Sequence, residues 1–176
     1  MNKTKNHLIH CDGVIFMVRR LKREVCFLIG HYKTAGLCAF LCCMGGVLLW
    51  VSGGSWMYHV RPYTVPIGVM FLLWLTVYGF TGLLMAVLLL SGRCRCGKGS
   101  ALTAAAYVCM LCWYAVFFCT PLTFFAGLLL SLSVILLGIV FLTEKRSMLT
   151  VKILIFLIEG IQIWCLYRCF FMNLLN

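Results

Sequence analysis

Two apolar stretches carry aromatic residues at the spacing that puts side chains on one face of a helix. Trp74 and Tyr78 are four residues apart, and Gly82 continues that face as a gap in its surface. Met110, Trp113 and Phe117 share a face in the same way. Indole and phenyl rings, a phenol tip and a thioether suit a flat, apolar or π-rich ligand, held by stacking and sulfur contacts. The structural alternative is that tryptophans near the ends of apolar spans belong to the aromatic belt at the membrane interface. Trp50 and Trp56 fit that alternative, whereas Trp74 sits well inside its span.

Bond-making chemistry is harder to find. The chain has no Gly-rich phosphate loop, no His-Glu-x-x-His, no nucleophile elbow and no close pair of carboxylates. Histidines and cysteines do not fall at metal-ligand spacing on one side of the chain, so no metal, resident cofactor or enzymatic activity is expected. Glu159, with Gln162 one turn on, lies within an apolar span. An intramembrane carboxylate usually faces the bundle interior. It could carry a proton, orient a ligand, stay neutral and hydrogen-bonded, or pair with Lys152.

These residues must be held by membrane-spanning helices. The chain is 64% hydrophobic and only 11% charged, far from the balance of a soluble domain. About 20 apolar residues of helix cross a hydrocarbon core. Spans are expected at Ala35–Gly53, Val65–Leu90, Ala101–Cys119, Pro121–Leu142 and Leu149–Leu175. The fold class is thus an all-α membrane protein, a five-transmembrane-helix bundle over residues 35–176, with residues 1–34 a basic N-terminal segment. Ala101 with Ala105, and Gly79 with Gly82, offer small surfaces for close helix packing.

Charge sets the expected orientation. With the N-terminus in the cytoplasm, thirteen of the fifteen Lys and Arg fall inside and only Arg61 and Arg168 outside, which favours an odd number of spans. The net charge of +11 points to anionic lipid headgroups rather than nucleic acid, since no basic run is interleaved with base-stacking aromatics outside the spans. Val14, Val18, Leu21, Val25 and Leu28 recur at helical spacing with most basic residues off that face. That suits either a helix lying in the interface or an extended tail that only sets topology.

Of twelve cysteines, Cys38, Cys42, Cys43, Cys109, Cys112, Cys165 and Cys169 lie in apolar runs, where the thiol packs as a small hydrophobe. Free thiols are expected rather than disulfides. Cys94 and Cys96 flank a span and are candidates for palmitoylation.

The order of these landmarks resembles the translocator protein family, also called tryptophan-rich sensory proteins. The likeness runs from the end of the first span to the end of the third. It rests on Gly45-Gly46, then Trp56-Met57-Tyr58-His59-Val60-Arg61-Pro62 and Pro66, then Trp74, Tyr78 and Gly82, then Trp113 four residues before Phe117-Phe118. The chain departs from the family pattern in a single Pro66 where the family has two prolines, in Met110 for an asparagine, and in lacking an acid around Leu129. The fifth-helix motif is not recognisable, although Trp164 stands near the place of its tryptophan. The resemblance implies a ligand pocket beneath the first long loop, for porphyrins, haem precursors or sterols. Trp74, Tyr78, Met110, Trp113, Phe117 and Trp164 would line it, and Trp56, Tyr58, Pro62 and Pro66 would form a lid.

The expected function is therefore binding or transport of a hydrophobic planar ligand, a tetrapyrrole or sterol, with pairing of two copies left open. The competing readings are a membrane scaffold or interaction protein that binds no ligand, and a proton-coupled transporter using Glu159.

Overall fold

Apolar side chains run all the way round each expected span, the pattern of a helix that meets protein on one side and lipid on the other. The computed structural model describes residues 18–19, 22–27, 29–53, 67–90, 98–119, 122–143 and 149–174. Its long helices are α1 (Tyr32–Gly53), α2 (Ile67–Leu90), α3 (Lys98–Cys119), α4 (Thr123–Thr143) and α5 (Leu149–Leu174). At 1.5 Å per residue each exceeds the roughly 30 Å of a hydrocarbon core. Among the described residues, five helices are long and apolar enough to cross a membrane. Leu72, Leu142 and Phe156 are exposed, Phe156 by 75%, on faces suited to lipid.

Polar residues inside the spans are neutralised locally. The hydroxyls of Thr76, Thr81, Thr103, Ser131 and Thr143 each donate at 2.8 Å to the carbonyl four residues back. Such bonds let a hydroxyl sit in lipid or in a dry core without a partner from another helix.

The helices form a ring in the order α1, α2, α5, α4, α3, with α3 returning to α1 and α2 also touching α3 across the middle. The most extensive pairings are α3 with α4 and α1 with α2. Each pairs helices adjacent in the chain, so the bundle is two hairpins closed by α5.

Small residues decide how α1 and α2 meet. A Cβ built on Gly82 would lie 2.6 Å from both the Ala39 Cα and the Cys38 carbonyl oxygen, so the two backbones touch there. Gly46 takes the Tyr78 ring, and Gly45 takes the Tyr107 hydroxyl, which donates to the Cys42 carbonyl at 2.8 Å. The paired glycines of α1 therefore seat one tyrosine from α2 and one from α3. Gly82 acts as a packing contact rather than as open space in an aromatic face. Gly79 is in ordinary contact with the Cys43 sulfur at 3.5 Å.

Before α1, residues 22–27 are helical and Glu24 is buried against the start of α5. Its Oε1 accepts from the Leu149 N–H at 2.9 Å, and Oε2 from the Thr150 N–H and hydroxyl at 2.8 and 2.9 Å. These are donors that a helix leaves unpaired at its first turn, and a carboxylate there also meets the positive end of the helix dipole. Val18 and Val25 are exposed, while Val14, Leu21 and Leu28 lie outside the described residues. Cys26, Cys38, Cys42, Cys43, Cys109, Cys112 and Cys165 are free thiols, as expected. Cys94 and Cys96 lie outside the described residues.

Candidate ligand site in the aromatic core

The aromatic residues of α2 and α3 meet across the seam between the two hairpins. Trp74 lies seven residues into α2, and Trp113 six residues before the end of α3. At the rise of an α-helix both are about 10 Å from the same end of the bundle, the one carrying the 54–66 connection. That shared depth lets their indoles stack, with centroids 4.3 Å apart and planes 28° from parallel. Phe117 extends the stack from Trp113 at 5.2 Å and 17°. Trp74, Trp113 and Phe117 thus form one continuous column, and all three are buried.

Tyr78 flanks the column, 5.7 Å from Trp74 by ring centroids, and meets Tyr107 edge-on at 5.8 Å and 85°. Met110 is fully buried in the same apolar core, one turn from Trp113. Trp164 reaches the edge of that core from α5 and is half-buried. Trp56, Tyr58, Pro62 and Pro66 lie outside the described residues. Trp50, half-buried near the end of α1, packs on Phe71 at 4.5 Å and sits 6.3 Å from Tyr114, so its ring borders the core from the end where an interfacial belt would lie.

Tyr107 and Tyr114 are members of the cluster that the spacing argument passed over. The signal was present: Tyr107, Met110, Tyr114 and Phe117 recur at intervals of three and four along one face of α3.

The two faces do not enclose an empty slot. Ring planes in contact are 3.5–4 Å apart, so a flat molecule between Trp74 and Trp113 needs them roughly twice as far apart. What the cluster offers is a stacking surface with polar tips. The Trp74 indole nitrogen and the Tyr78 hydroxyl are buried with no hydrogen-bond partner among the described residues. An unsatisfied buried donor costs about 1–3 kcal/mol, and an acceptor brought by a ligand would recover it.

A second polar feature lies between α4 and α5. The Gln162 side-chain nitrogen donates to the Ser133 hydroxyl at 3.0 Å, both residues being fully buried, while the Gln162 Oε1 has no partner among the described residues. Glu159, one turn earlier, is half-buried beside Gly138, its Oε1 3.8 Å from where a Cβ would stand. Lys152, a suggested partner for that carboxylate, instead lies over the Phe141 ring at 5.5 Å.

Gln162→Leu removes one hydrogen bond together with an orphaned carbonyl, and the Ser133 hydroxyl can turn to its own helix as other hydroxyls here do. The expected change in stability is under about 1 kcal/mol, measured by thermal unfolding in detergent. A loss of several times that would mean the polar pair, rather than apolar packing, holds α4 to α5.

No family model matches the chain, and no curated protein or solved structure matches it.

Proposed function

We propose that the chain binds or carries a hydrophobic planar ligand, of tetrapyrrole or sterol type, in the aromatic core between α2 and α3, with its N-terminus on the cytoplasmic side. The observation that carries this reading is the buried Trp74–Trp113–Phe117 column, with the Trp74 and Tyr78 polar tips beside it lacking partners among the described residues. A bundle that needed only packing would fill this seam more cheaply with aliphatic side chains, which leave no polar atom to satisfy. Access follows from the helix pairing. The column lies between the two hairpins, where α2 meets α3 less extensively than either meets its own hairpin partner. Parting the hairpins at the 54–66 end would separate the indoles and admit a flat ring system without breaking α1–α2 or α3–α4. Orientation rests on the charge bias, with the cations Arg19, Lys22, Arg23, Lys33, Lys98 and Lys152 all at the opposite end.

The test is titration of the full chain in detergent micelles with protoporphyrin IX, following the porphyrin's own absorption so that replacing a tryptophan does not remove the readout. Trp74→Phe and Tyr78→Phe keep the rings and delete the polar tips. Each is expected to weaken binding about 3- to 10-fold, the worth of one hydrogen bond. Trp74→Ala, which removes the stacking surface, is expected to weaken it further. Unchanged affinity in all three variants would remove this site from the reading.

A further inference from the structure

The sequence around Glu24 combines two opposed demands. Arg19, Lys22, Arg23 and Cys26 recur at i, i+3, i+4 and i+7, and a single acid stands among them. In the helical segment 22–27, Glu24 lies roughly 100–160° round the axis from Lys22, Arg23 and Cys26. The carboxylate is 6% exposed and takes three hydrogen bonds from the first turn of α5. Because those bonds fix the rotation of the segment, they also fix where its other face points. That face leaves Lys22, Arg23 and Cys26 exposed, and Arg19 borders the same open surface.

The geometry points to this basic face as a binding site for a polyanionic lipid headgroup, one bearing a phosphomonoester, with Glu24 as the positioning residue that aims its cations. A singly charged phosphodiester would match one of the three cations, whereas a phosphomonoester carries close to two charges and three acceptor oxygens. The lipid source follows from the surroundings. Val25, on the flank between the basic face and Glu24, is 44% exposed, and Val18 is 60% exposed. All described Lys and Arg side chains lie at this end of the bundle, where the headgroups of one leaflet would be. The site is at the opposite end from the aromatic column, so it neither uses nor requires the ligand reading given above.

Removing Glu24 discriminates a built site from diffuse attraction, because Glu24→Ala deletes an acid and raises the net charge from +11 to +12. Diffuse electrostatics then predicts equal or tighter lipid binding. A basic face aimed by Glu24 predicts weaker binding, although no cation has been touched. The measurement is affinity of the full chain in neutral detergent for dioctanoyl phosphatidylinositol bisphosphate, with dioctanoyl phosphatidylserine and free inositol trisphosphate as comparisons. The bisphosphate lipid is expected to bind at least about tenfold tighter than either, and Lys22→Gln with Arg23→Gln to cost about tenfold. Glu24→Ala is expected to cost a similar factor. If Glu24→Ala does not yield folded protein, Thr150→Val decides. It deletes only the hydroxyl bond to Glu24 and is expected to weaken binding about threefold. Glu24→Ala or Thr150→Val binding as tightly as the parent overturns the positioning role. Phosphatidylserine binding as tightly as the bisphosphate overturns the headgroup class, and inositol trisphosphate doing so overturns the lipid source.

Discussion

Gly82→Ala is expected to cost the bundle roughly 3 kcal/mol or more, from the addition of a single methyl group. The methyl would land 2.6 Å from the Ala39 Cα and the Cys38 carbonyl oxygen, both backbone atoms of α1. A clash with the end of a side chain can be relieved by rotation, but a clash with a neighbouring helix's backbone can be relieved only by moving a helix. Moving α1 also disturbs the Tyr78 ring on Gly46 and the Tyr107–Cys42 bond, since both use the same α1 surface. Gly160→Ala is the matched control, because nothing lies within 4 Å of its Cβ position. Alanine is the better helix former there by up to about 1 kcal/mol, so that variant is expected to match or exceed the parent. Gly46→Ala should fall between, since the obstacle is a side chain, the Tyr78 ring. The check is thermal unfolding of the three variants in one detergent. If Gly82→Ala is as stable as Gly160→Ala, the α1–α2 register described here is wrong.

The architecture was largely readable from hydropathy because lipid imposes its constraint on every residue of a span. The expected ends Gly53, Leu90 and Cys119 coincide with the ends of α1, α2 and α3, and the start at Leu149 with that of α5. The α1 and α3 starts were placed three residues late because Tyr32, Lys33 and Thr34, and Lys98, Gly99 and Ser100, are polar or small. Such residues can finish a helix in the headgroup layer, where hydropathy carries no signal. Periodicity likewise identified Trp74, Tyr78, Trp113 and Phe117 as sharing faces, and the structure brings all four together. It could not show whether two aromatic faces meet around a gap or against each other. That depends on helix separation, which Gly45, Gly46 and Gly82 set through contacts distant in sequence. Glu24 was missed for a related reason. Within its own segment it is an isolated acid among cations, and its meaning comes from Leu149 and Thr150, more than a hundred residues away.

Trp113→Ala should have the second large effect, and its nature separates packing from ligand binding. Trp113 is fully buried in the middle of the aromatic column, in stacking contact with both Trp74 and Phe117. Truncating a buried tryptophan typically costs about 3–5 kcal/mol in a water-soluble core, where lost transfer free energy and a cavity both contribute. In a bilayer the separated helix would bury the same indole in lipid, so the transfer part largely cancels and the packing and cavity parts remain. The lower end, about 3 kcal/mol, is therefore expected. Leu72→Ala, on a lipid-facing side chain, should cost little by the same reasoning. The void left in Trp113→Ala is walled by Trp74 and Phe117, so free indole should enter it and restore stability by mass action. The recovery is RT ln(1 + [L]/Kd), about 2.7 kcal/mol at a hundred times Kd. Indole should stabilise the parent far less than the variant, since a flat ring enters there only when the seam between α2 and α3 parts. Equal stabilisation of parent and variant would mean that the seam between α2 and α3 stands open without the deletion, and that the column is not packed. If indole rescues neither protein and Trp113→Ala is as stable as Leu72→Ala, then Trp113 does not sit at the centre of a packed column.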